Sequence, residues 1–286
     1  NYLLGYTGTD TSLTLPNNYN GQSYVIYDYA FYDCDRLTSV TIPNSVTTLG
    51  SGAFQDCSSL TTIKIPNSVR SIGSFAFQGC TNLEKFEGDL ASNDGRCLIL
   101  NNELQAFAPA GLTEYSIPDG VTKIGDAFYG CNNLTSVTIP NSVTSILGAT
   151  FGGCTGLTSI EIPNRVTSIG NSAFYNCSNL VSIGIPQSVE SIGDEAFSGC
   201  KSLKSIVIPK NVTSIGRAAF GKCDSLREVY CMPQSAPTIT NGEDLNINNY
   251  ATIYVPIGSL NGYKTAVGWS KYSSQIKEYD FENNPI

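Results

Sequence analysis

Apolar residues return in the same order along this chain. Leu37, Leu60, Leu83, Leu112, Leu134, Leu157, Leu180, Leu203 and Leu226 are spaced 23, 23, 29, 22, 23, 23, 23 and 23 residues apart. A fixed period of this size marks a solenoid, in which each unit packs only on its neighbours. Within one period, Leu157, Ile160 and Ile162 share one side, while Ser159 and Glu161 alternate outward. That period of two predicts a strand. Pro163 ends it, because proline offers no N–H to a ladder. The chain then turns at Asn164-Arg165, and Val166 and Ile169 point inward from a second short strand. Gly170 is expected to relax the backbone into a further turn before Ala173-Phe174 return inward ahead of Cys177. Each turn thus offers inward Leu, Ile, Ile, Val, Ile, Phe and Cys, stacked about 4.8 Å apart.

The ruler is uneven in one place. The long step before Leu112 carries an insertion, and the short step after it a deletion in Ile124-Gly125-Asp126-Ala127-Phe128. The enlarged turn, residues 83–111, holds Asn93-Asp94-Gly95 between apolar stretches, which predicts a small β-hairpin emerging mid-solenoid. Both ends depart from the phrase, as solenoid caps do. The expected organisation is a solenoid over 1–232, with an N-terminal cap to about residue 34, and a continuous capping segment over 233–286. Leu260–Ile276 has helical spacing at Tyr263 and Val267 and holds Trp269, so it is read as the plug on the last turn.

Composition narrows the function classes. Charged residues are 14% and net charge is −8, so the surface is built largely from Ser, Thr, Asn, Gly and Tyr. No dense Lys/Arg tract exists, which argues against a nucleic-acid partner. Lys201, Lys204, Lys210, Arg217, Lys222 and Arg227 make the last repeats locally basic, and read as a solvated face. No apolar run of about 18 residues exists to span a membrane as a helix. The chain begins at Asn1 without a signal peptide, and reads as a mature fragment from which an export signal or anchor is gone.

Cys34, Cys57, Cys80, Cys131, Cys154, Cys177, Cys200 and Cys223 share one slot of the phrase. They can be small buried apolar side chains, disulfides between adjacent turns, or metal ligands. Their place beside Phe favours the first; a linear ladder suits tetrahedral zinc poorly. Cys97 and Cys231 lie outside the ladder, and Cys231 fits an Ile slot. The chain has no histidine, which removes the commonest general base and metal ligand. The serines at Ser136, Ser159, Ser182 and Ser205, and at Ser145, Ser168, Ser191 and Ser214, repeat along faces and read as surface ladders. Parallel β-helix carbohydrate enzymes are also solenoids, but need an acid/base or calcium cluster on adjacent turns, and no such concentration is present. No catalytic, cofactor or metal site is expected.

The I-P-x-S-V-x-x-I-G-x-x-A-F phrase, from Leu13 to about Leu226, resembles the bacterial leucine-rich repeat proteins of the BspA-like type. So do the insert (Asp94-Gly95-Arg96-Cys97-Leu98-Ile99, then Ala106 to Gly111) and the segment from Tyr254-Val255-Pro256 to Gly268-Trp269. The resemblance implies a right-handed leucine-rich repeat solenoid, mainly β, on secreted or surface-anchored proteins of host-associated bacteria or protists. It implies no catalytic residues; relatives include adhesins that bind host proteins or other cells.

The slot after Ala-Phe gives Tyr32, Gln55, Gln78, Tyr129, Gly152, Tyr175, Ser198 and Gly221. Tyrosine brings area, rigidity and a hydroxyl to contact surfaces. Tyr32, Tyr129 and Tyr175 are therefore the candidate ligand-contact ridge. The expectation is a monomeric, extracellular or cell-surface recognition protein for a protein or glycan ligand. A structural spacer displaying another domain and a glycan-processing solenoid are the competing readings.

Overall fold

The computed structural model describes residues 1–240 and 244–286. It divides into two compact units, Asn1–Thr113 with Gly120–Cys131, and Glu114–Asp119 with Asn132–Ile286. Both are stacks of roughly 23-residue turns built almost entirely from short parallel strands, the predicted leucine-rich repeat solenoid architecture.

In the first unit, Ser12–Thr14, Ser39–Thr41, Thr62–Lys64 and Lys85–Glu87 pair in order, with Leu13, Val40, Ile63 and Phe86 opposite one another. A second ladder runs through Tyr2–Leu3, Tyr24–Ile26, Val46–Leu49 and Ser71–Ile72. In the second unit, Ser145–Ile146, Ser168–Ile169, Ser191–Ile192, Ser214–Ile215 and Thr238–Ile239 form the corresponding ladder. Ser205–Ile208, Glu228–Cys231, Thr252–Pro256 and Ile276–Tyr279 form a four-stranded parallel sheet. Parallel in-register pairing follows from the period: equal turns place like residues opposite, and one apolar face of every strand has only its neighbours to bury it. Leu157, Ile160, Ile162, Val166, Ile169, Phe174 and Cys177 are all buried, as is Ala173 beside them.

Each turn closes through a tight corner around Ala-Phe. Two of its residues have left-handed backbone, such as Ser172 (φ 55°) and Asn176 (φ 56°). Gly170 has another role than the expected one. Its φ is not positive; a Cβ there would come within 2.5 Å of the Leu147 carbonyl carbon. Glycine occupies that slot because adjacent turns touch backbone to backbone, and the left-handed bend comes two residues later.

The enlarged turn contains the expected hairpin, with its regular turn elsewhere. Cys97–Leu100 pairs antiparallel with Glu103–Phe107 across Asn101-Asn102, both left-handed (φ 53° and 61°). Two consecutive left-handed residues give the type of turn whose twist matches a hairpin. Asp94-Gly95 makes a looser turn before it, flanked by a single Ala91–Leu98 bridge. The hairpin also does not emerge: Glu103–Phe107 pairs in parallel with Lys123–Ile124, and Leu98, Leu104 and Phe107 are buried.

The terminal segment of the second unit is only briefly helical. The helix is Leu260–Thr265, and the extended backbone of Ala266 (ψ 143°) ends it. Val267 is consequently turned out, at 74% exposure, while Tyr263 and Trp269 are completely buried. Trp269 Nε1–H donates to the Pro237 carbonyl at 2.8 Å and the Tyr263 hydroxyl to the Pro233 carbonyl at 2.7 Å. These bonds pair the polar atoms that two large aromatic side chains carry into the core.

Candidate functional site

The outward faces of the strands are the first candidate surface. In the first unit they carry hydroxyls and a few charges: Ser39 Oγ donates to Ser12 Oγ at 2.7 Å, and Lys85 pairs with Glu87 at 2.7 Å. In the second unit Ser159 stands opposite Ser182, and Glu161 opposite Gly184. Gly184 leaves a shallow depression bounded by Glu161, Asn164 and Pro186. Farther along that unit the outward slot turns aromatic. Val207 faces Tyr230, which faces Tyr254. The Tyr230 and Tyr254 rings stack with centroids 5.0 Å apart, and Tyr279 meets both at an angle. Phe281 packs on Tyr279 at 4.9 Å. Burial pushes the Tyr230 hydroxyl up to about 12, with Glu228 beside it adding to the shift.

The three tyrosines expected to form a ridge have different surroundings. Tyr32 is 51% exposed and packs edge-on against Tyr29. Tyr129 is half-buried with its ring against Phe75, centroids 5.1 Å apart. Tyr175 is half-buried above a groove lined by Ser198, Gly221, Arg217 and Lys222, where Arg217 pairs with Glu195 at 3.1 Å. Tyr32 and Tyr129 share the first unit but make no ring contact there among the described residues.

The cysteine slot has a chemistry beyond filling space. Cys57 Sγ donates to the Phe31 carbonyl at 3.0 Å, and Cys80, Cys177, Cys200 and Cys223 repeat the bond to Phe54, Phe151, Phe174 and Phe197. Each thiol thus ties its turn to the one before it. A small side chain with a weak donor fits that slot better than a purely apolar one. Burial pushes Cys131, Cys177 and Cys223 up to about 12, so these thiols stay protonated at neutral pH. That is the state in which they donate, and one in which they are poor nucleophiles. Among the described residues no disulfide joins them, and no group of three acidic or sulfur ligands could hold a metal.

The third candidate lies at the enlarged turn, where sequence reasoning placed only a hairpin. Around Phe75–Cys80 the next corner is displaced, leaving a narrow groove whose walls include Gln78, Gly79, Gln105, Phe107, Asp126 and Tyr129. Asp126 Oδ2 accepts the Phe75 N–H at 2.9 Å. In the regular corners a main-chain carbonyl fills that role, as Asn171 does for Ala149 at 2.8 Å. The enlarged turn that comes next offers no counterpart carbonyl, and a carboxylate from the shortened turn beyond it takes that place. Burial raises the Asp126 carboxyl above the usual Asp range, while the bonds from Phe75 N–H and Ser74 offset part of that shift.

The model of the BspA type leucine rich repeat region matches this chain in six copies, over residues 6–126 and 100–227. The chain belongs to the BspA-type leucine-rich repeat family. A BspA-type identity accounts for the recurring phrase and the slot that its thiols share. Among solved structures, a leucine-rich repeat protein from Bacteroides ovatus is 29% identical with a TM-score of 0.61. The alignment covers 94% of this chain and 66% of that one, so the chain spans just under two thirds of it. The pneumococcal vaccine antigen PcpA aligns with a TM-score of 0.62 at 18% identity, over 90% of this chain and 69% of its own. A leucine-rich repeat protein from Eubacterium ventriosum aligns at 0.51 and 22% identity, covering 87% and 74%. These two show a shared fold. No curated protein matches. Among the described residues no helix of this BspA-type chain is long and apolar enough to cross a membrane.

Proposed function

We propose that this BspA-type chain is a non-catalytic recognition protein, secreted or held on a bacterial cell surface. It acts as a monomer that binds a host or neighbouring-cell protein in the manner of an adhesin. Residues 233–286 serve as the cap of the repeats before them. The observation that carries the reading is the display of varied side chains from a constant frame: Thr41 faces Lys64, Glu161 faces Gly184, and Val207 faces Tyr230. A frame that varies its outward slots suits selective binding, and among the described residues those slots hold no set of ionisable groups arranged for acid/base work. Tyr32, Tyr129 and Tyr175 form the contact ridge, supported most directly by the exposure of Tyr32.

The test is a binding screen of the purified chain against immobilised extracellular host proteins and a glycan panel. Saturable binding in the protein arm, lost in the combined Tyr32→Ala, Tyr129→Ala, Tyr175→Ala variant, is the expected result. Binding confined to glycans moves the assignment to a lectin. Binding unchanged in the triple variant removes the ridge. No binding in either arm leaves the spacer reading in its place.

A further inference from the structure

Among the described residues the main-chain bonding from one corner to the next turn is complete in several corners, and after Phe75 two successive donors lack it. In the corners that begin at Tyr29, Gly52, Ala149, Ser172 and Glu195, alternate N–H groups each donate to a carbonyl of the next turn. In the corner from Ala149, for instance, Phe151 donates to Ala173 at 2.8 Å and Gly153 to Tyr175 at 2.6 Å. The equivalent donors after Phe75 are Phe77 and Gly79. Neither N–H has an acceptor among the described residues. The cause is the irregular pair of turns that follows. The enlarged turn supplies Phe107 to the core beneath, and the shortened one brings Asp126 to Phe75, but no carbonyl reaches the next two donors.

We propose that the groove beside Phe77 and Gly79 binds a short peptide segment in the conformation of a regular corner, whose carbonyls two residues apart accept from these two N–H groups. Main-chain donors that lack a partner in a partly buried place favour a ligand that supplies one. The regular corners supply the template: the Ala173 and Tyr175 carbonyls, two residues apart within a turn, accept from Phe151 and Gly153. A free anion fits less well, because Asp126 lines the same groove and the chain carries a net charge of −8. Gln78 and Gln105 each bring an amide with both donors and an acceptor, the complement of a peptide group. The inward side chain of the ligand must be small, since Phe107 already fills the core at 3% exposure. The site deepens the protein-recognition reading by naming a peptide position. It does not require Tyr32 or Tyr175, so the groove and the ridge can fail separately.

The experiment is residue-resolved amide exchange by NMR on the intact chain. The probe is the acetylated tetrapeptide Ala-Ala-Tyr-Asn, a copy of residues 173–176 with alanine at the inward position. In the free protein the Phe77 and Gly79 amides should exchange at least about 100-fold faster than those of Phe54 and Asp56, which are bonded to the next turn. Millimolar peptide should slow Phe77 and Gly79 about 10-fold or more and leave Phe54 unchanged. Gln105→Trp, which fills the groove, should abolish that slowing; Thr81→Trp at the rim does the same if the first variant does not fold. Three results each overturn the proposal: amides already protected in the free protein, no slowing by peptide, or equal slowing in the filled variants. The second would mean that water alone serves these donors.

Discussion

The corner at Ser172 and the corner at Phe75 are written in nearly the same phrase and end differently. Both place a non-glycine residue in left-handed backbone, at φ 55° and 58°. Both send an Ala-Phe pair inward and close on a cysteine. At Ser172 every outward-running donor finds a carbonyl one turn on. At Phe75 the first finds a carboxylate, and the next two find nothing among the described residues. A solenoid turn is therefore not a self-contained motif. Its corner is completed by its neighbour, and a change of length in the neighbour alters a turn whose own sequence is regular.

The largest expected effect tests whether the regular stack is the stronger. Phe174 lies between Phe151 and Phe197, with centroids 5.4 and 5.5 Å away and rings nearly parallel. Phe174→Ala should cost about 3–5 kcal/mol. Phe77 has one parallel neighbour, Phe54, and meets Phe86 edge-on at 5.2 Å. Phe77→Ala should cost less, because the groove beside it lets the walls relax. Denaturant unfolding of both variants measures the gap, and equal losses would dissolve the contrast between the two corners.

The next effect separates close approach from conformational freedom. Gly170→Ala drives a methyl to within 2.5 Å of the backbone below, and should cost about 1–3 kcal/mol. Gly125, its counterpart in the shortened turn, would place a Cβ 3.2 Å from the Leu104 carbonyl oxygen. There the same substitution should cost less, under about 1 kcal/mol, because the carbonyl need give only a few tenths of an ångström and no left-handed backbone opposes it. If Gly170→Ala proves as mild as Gly125→Ala, turn-to-turn contact is looser than the distances say.

Sequence periodicity made most of this legible. The leucine ruler located the strands, the inward ladders, and the insertion followed by a deletion. It could not foretell what the altered lengths do, because the missing atom is a carbonyl of the main chain, and main-chain acceptors are invisible to side-chain patterning. Gly170 was misread for a related reason. A glycine that relieves φ and a glycine that admits a neighbouring backbone look alike in sequence. Val267 was placed inward by helical spacing, and the extended backbone of Ala266 cancels that spacing. The aromatic cluster of Tyr230, Tyr254, Tyr279 and Phe281 had a signal that went unused: Tyr230 and Tyr254 fall in the outward slot once the register is carried past Leu226.

Asp126 gives a smaller effect with a defined pH dependence. Asp126→Ala removes the acceptor of the Phe75 N–H and should cost about 1–2 kcal/mol. Asp126→Asn keeps an acceptor oxygen and removes the charge that burial penalises, so it should be neutral or mildly stabilising. The folded carboxyl titrates above its unfolded value. Its favourable contribution is therefore present below the ordinary Asp range, and is lost as pH rises through the raised value. The advantage of Asp126→Asn over the wild type should thus be small at about pH 3 and should have grown to its full size by about pH 7. An advantage that shrinks with rising pH would mean the carboxylate is better satisfied than its surroundings indicate.

The smallest effect asks whether the thiol ladder carries energy at all. Cys177 donates to the Phe151 carbonyl at 3.0 Å, whereas Cys131, just past the deletion, has no acceptor among the described residues. Both are buried, and burial pushes both up to about 12. Replacing either with alanine empties a similar volume, so the difference between the two variants isolates the hydrogen bond. Cys177→Ala should therefore be the costlier by about 0.5–1.5 kcal/mol. A folded value above the unfolded one also means that the thiol contribution is intact below about pH 9, and is lost as pH rises towards about 12. The alkaline fall in stability should be shallower in both alanine variants than in the parent chain. Equal losses in the two variants would return the cysteine slot to a matter of size, and the regular corner would then owe its cohesion to stacked rings and main-chain bonds.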